Sequence, residues 1–385
     1  MASTKPKVAL LKIETVYGTD AVPTPAANAI LIRDEIRAPQ LEVFYANRNN
    51  ARGHYGRGEQ IVAGSKINVG FDIELAGSGT AGVAPGWGPS VRACAMAEKL
   101  LATAHAGTAV AGSASGITLA VGASAVDQAY RPLRIRLTGG TGSGQTRVIT
   151  GYVGATKVAT VTPAWTTPPD ATTAYSIDAQ AAYSPVSASL ESATCYFYYA
   201  GFVHKLLGAR GDLSWKFPRM DIPLLSIELQ GLYGGIVDDT YPAVTLGGFK
   251  DPLAVNNANT SLVSVHGHAA KLYNLEGRLG NQVTYRNIPG AEDILINNRE
   301  PAGSVEFEAP TIATKDFPAL ARAGTLGQVS LTHGTVVGNK VAVDGILSQL
   351  TNYREGNQDG TATLQFDTLW KPTEAGNDEM ILYAL

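Results

Sequence analysis

The sequence predicts a mainly β protein with a few short helices: a β-sandwich or barrel unit with a flanking helix, present twice, plus one small all-β insertion. Three observations carry this. Glycine occurs 42 times and proline 20 times, enough punctuation for many short strands. Charged residues make up only 16% of the chain while apolar residues reach 45%, so large cores lie under a surface of Gly, Ala, Ser, Thr and Asn. Alternation of apolar and polar residues recurs along the chain, as half-buried strands require.

The 385 residues suit two or three domains. The opening "MASTKPKVALLKIETVYG" has no apolar run of signal-peptide length. A net charge of −3 gives no electrostatic footprint for nucleic-acid binding. Cys94 and Cys195 are far apart in sequence and read as buried free thiols of a protein made in a reducing compartment.

"YANRNNARGHYGRGEQ", residues 45–60, reads as the tip of a long β-hairpin. Its Arg48, Arg52 and Arg57 stand beside Tyr45, His54 and Tyr55. Basic residues among aromatics can grip a nucleic acid; with no wider basic patch, a contact to another protein is favoured. "KINVGFDIEL" alternates as a strand and runs into a helix candidate, "GPSVRACAMAEKLLATA", with Pro89 near its first turn. From Leu100 to Val126 there is no charge up to Asp127, but Ala, Gly, Ser and Thr dominate. That stretch is too weakly hydrophobic for membrane insertion and is expected to be a helix end followed by a flexible linker.

Residues 113–178 then form the all-β insertion. "LRIRLTGG" alternates, "TRVITGYVGATKVATV" alternates again with turns expected at Gly151 and "GAT", and "TTPPDATTAYSI" closes with a proline turn and a strand. The stretch "GGTGSGQT" resembles a phosphate-binding loop. Yet Gln145 stands where the lysine belongs, and a Thr-, Val- and Ile-rich strand follows where a helix must present its amides to the anion. The glycines are better used in a hairpin that needs positive φ.

The remainder divides into residues 1–112 with 179–240, and residues 241–385. Arg57, Glu59 and Ala63-Gly64-Ser65 in the first unit match Arg299, Glu300 and Ala302-Gly303-Ser304 in the second. "TKDFPALARAG" supplies the second unit's short helix, with Thr314 as the expected cap and its end near Gly324. After each helix come an alternating strand, a glycine turn and two more strands. A shared strand–helix–strand order points to duplication.

Chemical motifs are sparse. There is no Gly-x-Ser-x-Gly elbow. His266-Gly267-His268 puts two imidazoles on one expected strand face, but neither a His-Glu-x-x-His nor a cysteine pair accompanies them, so no metal is assigned. Asp238-Asp239 reads as a solvated turn, and Arg210-Gly211-Asp212 as a chance turn between strands. No catalytic or cofactor-binding set emerges. A protein of many strands, repeated halves and neutral surface is one that assembles: open sheet edges are satisfied when copies join into a ring. Apolar sides of "INVGFDIEL" and "SVEFEAP" then face inward, while Asp72, Glu74, Glu306 and Glu308 face a water-filled bore.

The stretches "GARGDLSWKFPRMDIPLLSIELQGLYGGIVDDTYP", the two strand–helix units and the hairpin at 45–60 resemble the major tail (tail tube) protein of long, non-contractile-tailed phages. Residues 133–177 resemble a β module of various phage virion proteins. The resemblance implies stacked rings around a channel for the tape-measure protein and then the viral DNA, which passes without specific binding. Tail terminator and distal tail proteins are further implied partners, and assembly is expected in the host cytoplasm. Single-unit members form hexamers; two units per chain imply trimeric, pseudo-sixfold rings, with a hexamer as the alternative. An acidic or neutral lining avoids phosphate contacts that add affinity. The hairpin at 45–60, through Arg48, Arg52, His54, Tyr55 and Arg57, and its counterpart near 285–302 are assigned to contacts between stacked rings. The insertion is expected to project outward. A receptor-binding virion protein whose β module grips a glycan, or a hydrolase with a dispersed Ser, His and Asp set, are the rival readings.

Overall fold

A computed structural model describes residues 4–34 and 36–385. Strand takes 52% of the residues and helix 3%, so the expected mainly β class holds.

Eight strands form one continuous antiparallel wall. They are β1 (Ile36–Asn47), β2 (Gln60–Glu74), β3 (Phe202–Pro218), β4 (Leu224–Asp238), β5 (Leu272–Arg278), β6 (Ala302–Glu308), β7 (Val341–Gln358) and β8 (Thr361–Lys371). Their order in space is β1-β2-β4-β3-β5-β6-β8-β7. The first four strands and the last four thus follow the same pattern. The registers match too: Asp72 lies opposite Ser226 and Glu74 opposite Leu224, as Glu306 lies opposite Gln365 and Glu308 opposite Thr363.

β3 and β7 are long because each serves two layers. The start of β3 pairs with Ala193–Tyr199, which also pairs with Lys7–Ile13. Likewise the start of β7 pairs with Leu326–His333, which also pairs with Thr260–Val265. Between wall and second layer lies one apolar core, containing Phe71, Phe197, Leu213, Trp215, Phe307, Phe366 and Trp370. Period-two alternation puts every second residue of each wall strand into it: Ile67, Val69, Phe71 and Ile73 from β2, and Val305 and Phe307 from β6, are all buried.

Two short helices plug the core, α1 (Gly88–Ala93) after β2 and α2 (Phe317–Arg322) after β6. The helix expected over residues 88–104 stops at Ala93. Ala95 turns the chain with a φ of +61°, and Met96–Leu101 becomes a strand paired with Gln180–Pro185. Helix-favouring Ala, Met, Lys and Leu are overruled by the need to pair that strand's backbone. The second helix is capped by Asp316, whose Oδ1 accepts from the Ala319 amide at 2.9 Å, not by Thr314.

The expected flexible linker at 100–126 is also corrected. His105–Thr108, Ala111–Ser113 and Gly116–Thr118 are strands of a seven-stranded sheet that runs on to Ile177, so this sheet starts before residue 113. Backbone pairing is available to Ala, Gly, Ser and Thr whatever their side chains. Gly151, expected in a turn, sits within the strand Thr146–Val153 at a bulge; the turn falls after it. The hairpin reading of the glycine loop is correct: Gly140, Gly142 and Gly144 have φ of +69°, +78° and +89° between the paired strands Arg134–Gly139 and Thr146–Val153. Gln145 clasps this loop, accepting from the Thr166 amide at 2.7 Å and donating to the Thr167 carbonyl at 2.8 Å.

The seven-stranded sheet packs on the main body through a core shared with Ala182, Ile346, Ile381 and Tyr383. A buried ion pair crosses the joint: Arg134 reaches Asp344 at 2.6 Å and Thr332 Oγ1 at 2.7 Å, with its guanidinium 4.8 Å from the Tyr383 ring centre. Removing one member of such a pair strands the other without water. Asp344→Ala is expected to lower subunit stability by about 3–5 kcal/mol, and Arg134→Met with Asp344→Leu to recover most of it. Urea unfolding of the unassembled subunits measures both; a cost below about 1 kcal/mol for the single change would mean the pair is solvated.

Candidate assembly interface

The wall's second face is mainly polar, with Leu369 of β8 exposed on it. Asp72 and Glu74 on β2, and Glu306 and Glu308 on β6, all lie on it, half-buried, at the equivalent positions noted above. The face carries charge of both signs. Glu74 lies 3.9 Å from Arg33 and Glu308 2.8 Å from Lys271. Arg37 on β1 reaches Glu228 on β4 at 2.6 Å, and Arg354 on β7 reaches Asp367 on β8 at 2.6 Å. Glu306 instead accepts from Thr363 Oγ1 at 3.0 Å and Gln358 Nε2 at 3.1 Å. Such exposed pairs add little stability, and not every cation has one: Lys216 on β3 and Arg278 on β5 are exposed on the same face with no ion pair among the described residues. The hydrogen bond from Asn352, with Arg354 alongside, holds the Asp367 carboxyl below its ordinary range. Burial pushes the Asp212 carboxyl on β3 upward, against the backbone amides that it accepts. The face is therefore mixed in charge and only partly paired.

β1 and β2 extend past the wall as an arm ending in residues 48–59. There Arg52, His54, Tyr55 and Arg57 are exposed and make no ion pair among the described residues, while Arg48 pairs with Glu59. A second arm, the hairpin Asn281–Ile288 with Ala291–Arg299, leaves between β5 and β6. The two arms share a register. Val43 faces Ser65, Tyr45 faces Val62 and Asn47 faces Gln60; Asn281 faces Arg299, Val283 faces Ile296 and Tyr285 faces Ile294. Both skip a residue at the same step, a bulge that adds twist.

The wall has two open borders. Among the described residues β1 pairs only with β2, and the stretch 350–358 of β7 only with β8. Inside the chain the corresponding borders are closed on each other, where Ser214 to Pro218 of β3 pair with Arg278 to Asn274 of β5. Unpaired backbone groups of this kind favour pairing with another chain. The sequence reading named open edges in general but not these two strands, since pairing partners are invisible in one strand's alternation.

Other motifs resolve simply. His266 and His268 do not share a strand face: His266 lies in a turn with φ +50° and is buried, which lowers its pKa to about 4, and His268 packs edge-on against Phe317. Arg210-Gly211-Asp212 is not a turn but lies within β3; Arg210 donates to the carbonyls of Ile294, Leu190 and Glu191. Asp238 ends β4 and is exposed, as is Asp239. Cys94 and Cys195 are buried free thiols whose pKa values burial raises. Among the described residues no group of three or more His, Cys, Asp or Glu side chains is placed to hold a metal ion, and no helix is long and apolar enough to cross a membrane.

No curated protein matches the chain. A family model described as phage tail tube protein matches residues 7–368, which takes in the wall but for the last three residues of β8, both arms and the seven-stranded sheet. The chain belongs to the phage tail tube protein family, and is a structural protein of the tail.

Proposed function

We propose that this subunit closes into rings by joining β7 of one copy to β1 of the next, and that stacked rings make the tube through which viral DNA leaves a long, non-contractile tail. The carrying observation is the β3–β5 join. It fastens the last strand of one four-strand group to the first strand of an equivalent group, and each chain has the same two borders left over. Residues 1–112 with 179–240, and 241–385, are then two tube units in tandem, with the sheet that ends at Ile177 as an outward module. By register, Arg354 corresponds to Ser214 and Gln40 to Arg278, so Arg354 faces Gln40 of the next copy.

Copy number follows from circumference. Three copies give about 24 strands spaced ~4.8 Å, and with the usual tilt a backbone diameter of roughly 40–50 Å. Two copies give about 16 strands, a porin-sized channel too narrow for a duplex and its hydration. Trimeric, pseudo-sixfold rings are favoured over hexamers of this double-length chain. The polar face lines the bore, where pairing to carboxylates leaves few cations, Lys216 and Arg278 among them, open to counterion release on DNA. Tape-measure protein fills the tube before ejection, and terminator and distal tail proteins cap its ends. Assembly takes place in the host cytoplasm.

Purified protein is expected to form hollow tubes with three subunits per ring by electron microscopy. Gln40→Cys with Arg354→Cys should link neighbours into disulfide-bonded ladders on oxidation; particles that stay monomeric at high concentration would count against the ring. Arginine at positions 72, 74, 306 and 308 should leave tubes intact and slow DNA ejection several-fold, measured by dye release from virions. Unchanged kinetics would remove these four side chains from the bore. The arm tip, with Arg48, Arg52, His54, Tyr55 and Arg57, is assigned to the adjacent ring. Deleting residues 47–58 should give folded, soluble subunits that no longer polymerise, and tubes of normal length from that deletion would reject this role.

A further inference from the structure

The two arms match in register, yet only one of them is covered. The second arm lies across the first half of its own chain. Ile294 is fully buried there; its amide donates to Tyr17 Oη at 2.5 Å and its carbonyl accepts from Arg210 at 2.9 Å. Tyr285 stacks on Phe44 with ring centres 5.1 Å apart, and a Cβ on Gly64 would fall 2.5 Å from the Tyr285 hydroxyl. Glycine at position 64 is what admits that ring.

In the first arm Tyr45, Ile61 and Val62 are 52%, 53% and 62% exposed, whereas their register counterparts Val283, Leu295 and Ile296 are partly covered. Pairing register also maps the seat. Arg210 corresponds to Gln349 and Gly64 to Asn298, and in the second half both border an open cavity of about 720 Å³, floored in part by Leu326 and Leu369.

We infer that the first arm of one copy seats in this cavity of the neighbouring copy, as the second arm seats on the first half within a chain. The inference rests on the proposed β7–β1 join. Its occupant is residues 44–47 and 60–62 of a second copy of this chain, with Asn47 beside Asn298 and the Gln60 backbone at Gln349. Covering Tyr45, Ile61 and Val62 removes apolar surface from water, which favours the contact. The tip at 48–59 is longer than its counterpart at 286–293, so it projects beyond the seat toward the adjacent ring.

Two cysteine pairs test this in assembled tubes, because the natural Cys94 and Cys195 are buried. Asn47→Cys with Asn298→Cys, treated with a short bis-maleimide, is expected to give crosslinked dimers and trimers. The pair at positions 40 and 354 reports the strand join separately. Linkage at 40 and 354 without linkage at 47 and 298 overturns the seating and leaves the join standing; linkage at neither overturns both. If the Asn47/Asn298 variant does not polymerise, amide exchange of the unaltered protein decides. Peptides covering 44–47, 60–62 and 296–302 should slow about tenfold or more between subunit and tube, and no change in them rejects the seating.

Discussion

Backbone hydrogen bonding across the wall is what everything else here depends on. Each buried amide and carbonyl must find a partner, and in an antiparallel sheet that partner is the next strand. Joining β3 to β5 satisfies this between the two four-strand groups and makes one wall of two halves. The same requirement is unmet at β1 and at the end of β7. A tube is the arrangement in which those borders disappear.

The wall is held flat on one face and free on the other by simple alternation. Trp215 and Trp370, with ring centres 5.4 Å apart, cover the seam between halves from inside the core, and Phe307, Phe317 and Phe366 pack around α2. Because β3 and β7 bend from one layer into the other, the second layer cannot slide relative to the wall. The polar face is thereby left continuous, with no insertion crossing it. The seven-stranded sheet is fastened at the opposite side of the core, by Arg134 and the residues around Tyr383.

Surfaces rather than pockets carry the function of such a protein. Arg37, Lys271 and Arg354 each spend their charge on a carboxylate of the polar face, while Lys216 and Arg278 on that face have no such partner among the described residues. Gly64 matters for a different reason: a missing side chain lets one hairpin lie on another. The conformational freedom of Gly140, Gly142 and Gly144 serves only a turn, which is why a near match to a phosphate loop has no phosphate chemistry behind it.

Alternation in the sequence determined the mainly β class, the core residues of β2 and β6, the polar-face places of Asp72, Glu74, Glu306 and Glu308, and the hairpin at 45–60, since each rests on the period of a single strand. Repeated residues around positions 57–65 and 299–304 suggested two alike halves, but strand pairing sets Gly64 level with Asn298 and Gly303 level with Val69, so the halves are alike in register and not at those residues. Tertiary structure alone decided that residues 96–101 and 105–118 are strands, because Ala, Gly, Ser and Thr encode no preference strong enough against a neighbouring strand's need for partners. It alone decided that Asp316 caps α2, that Arg210 lies inside β3, and that β1 and β7 are the open borders. Which backbone meets which is a property of two segments distant in sequence, and no local pattern contains it.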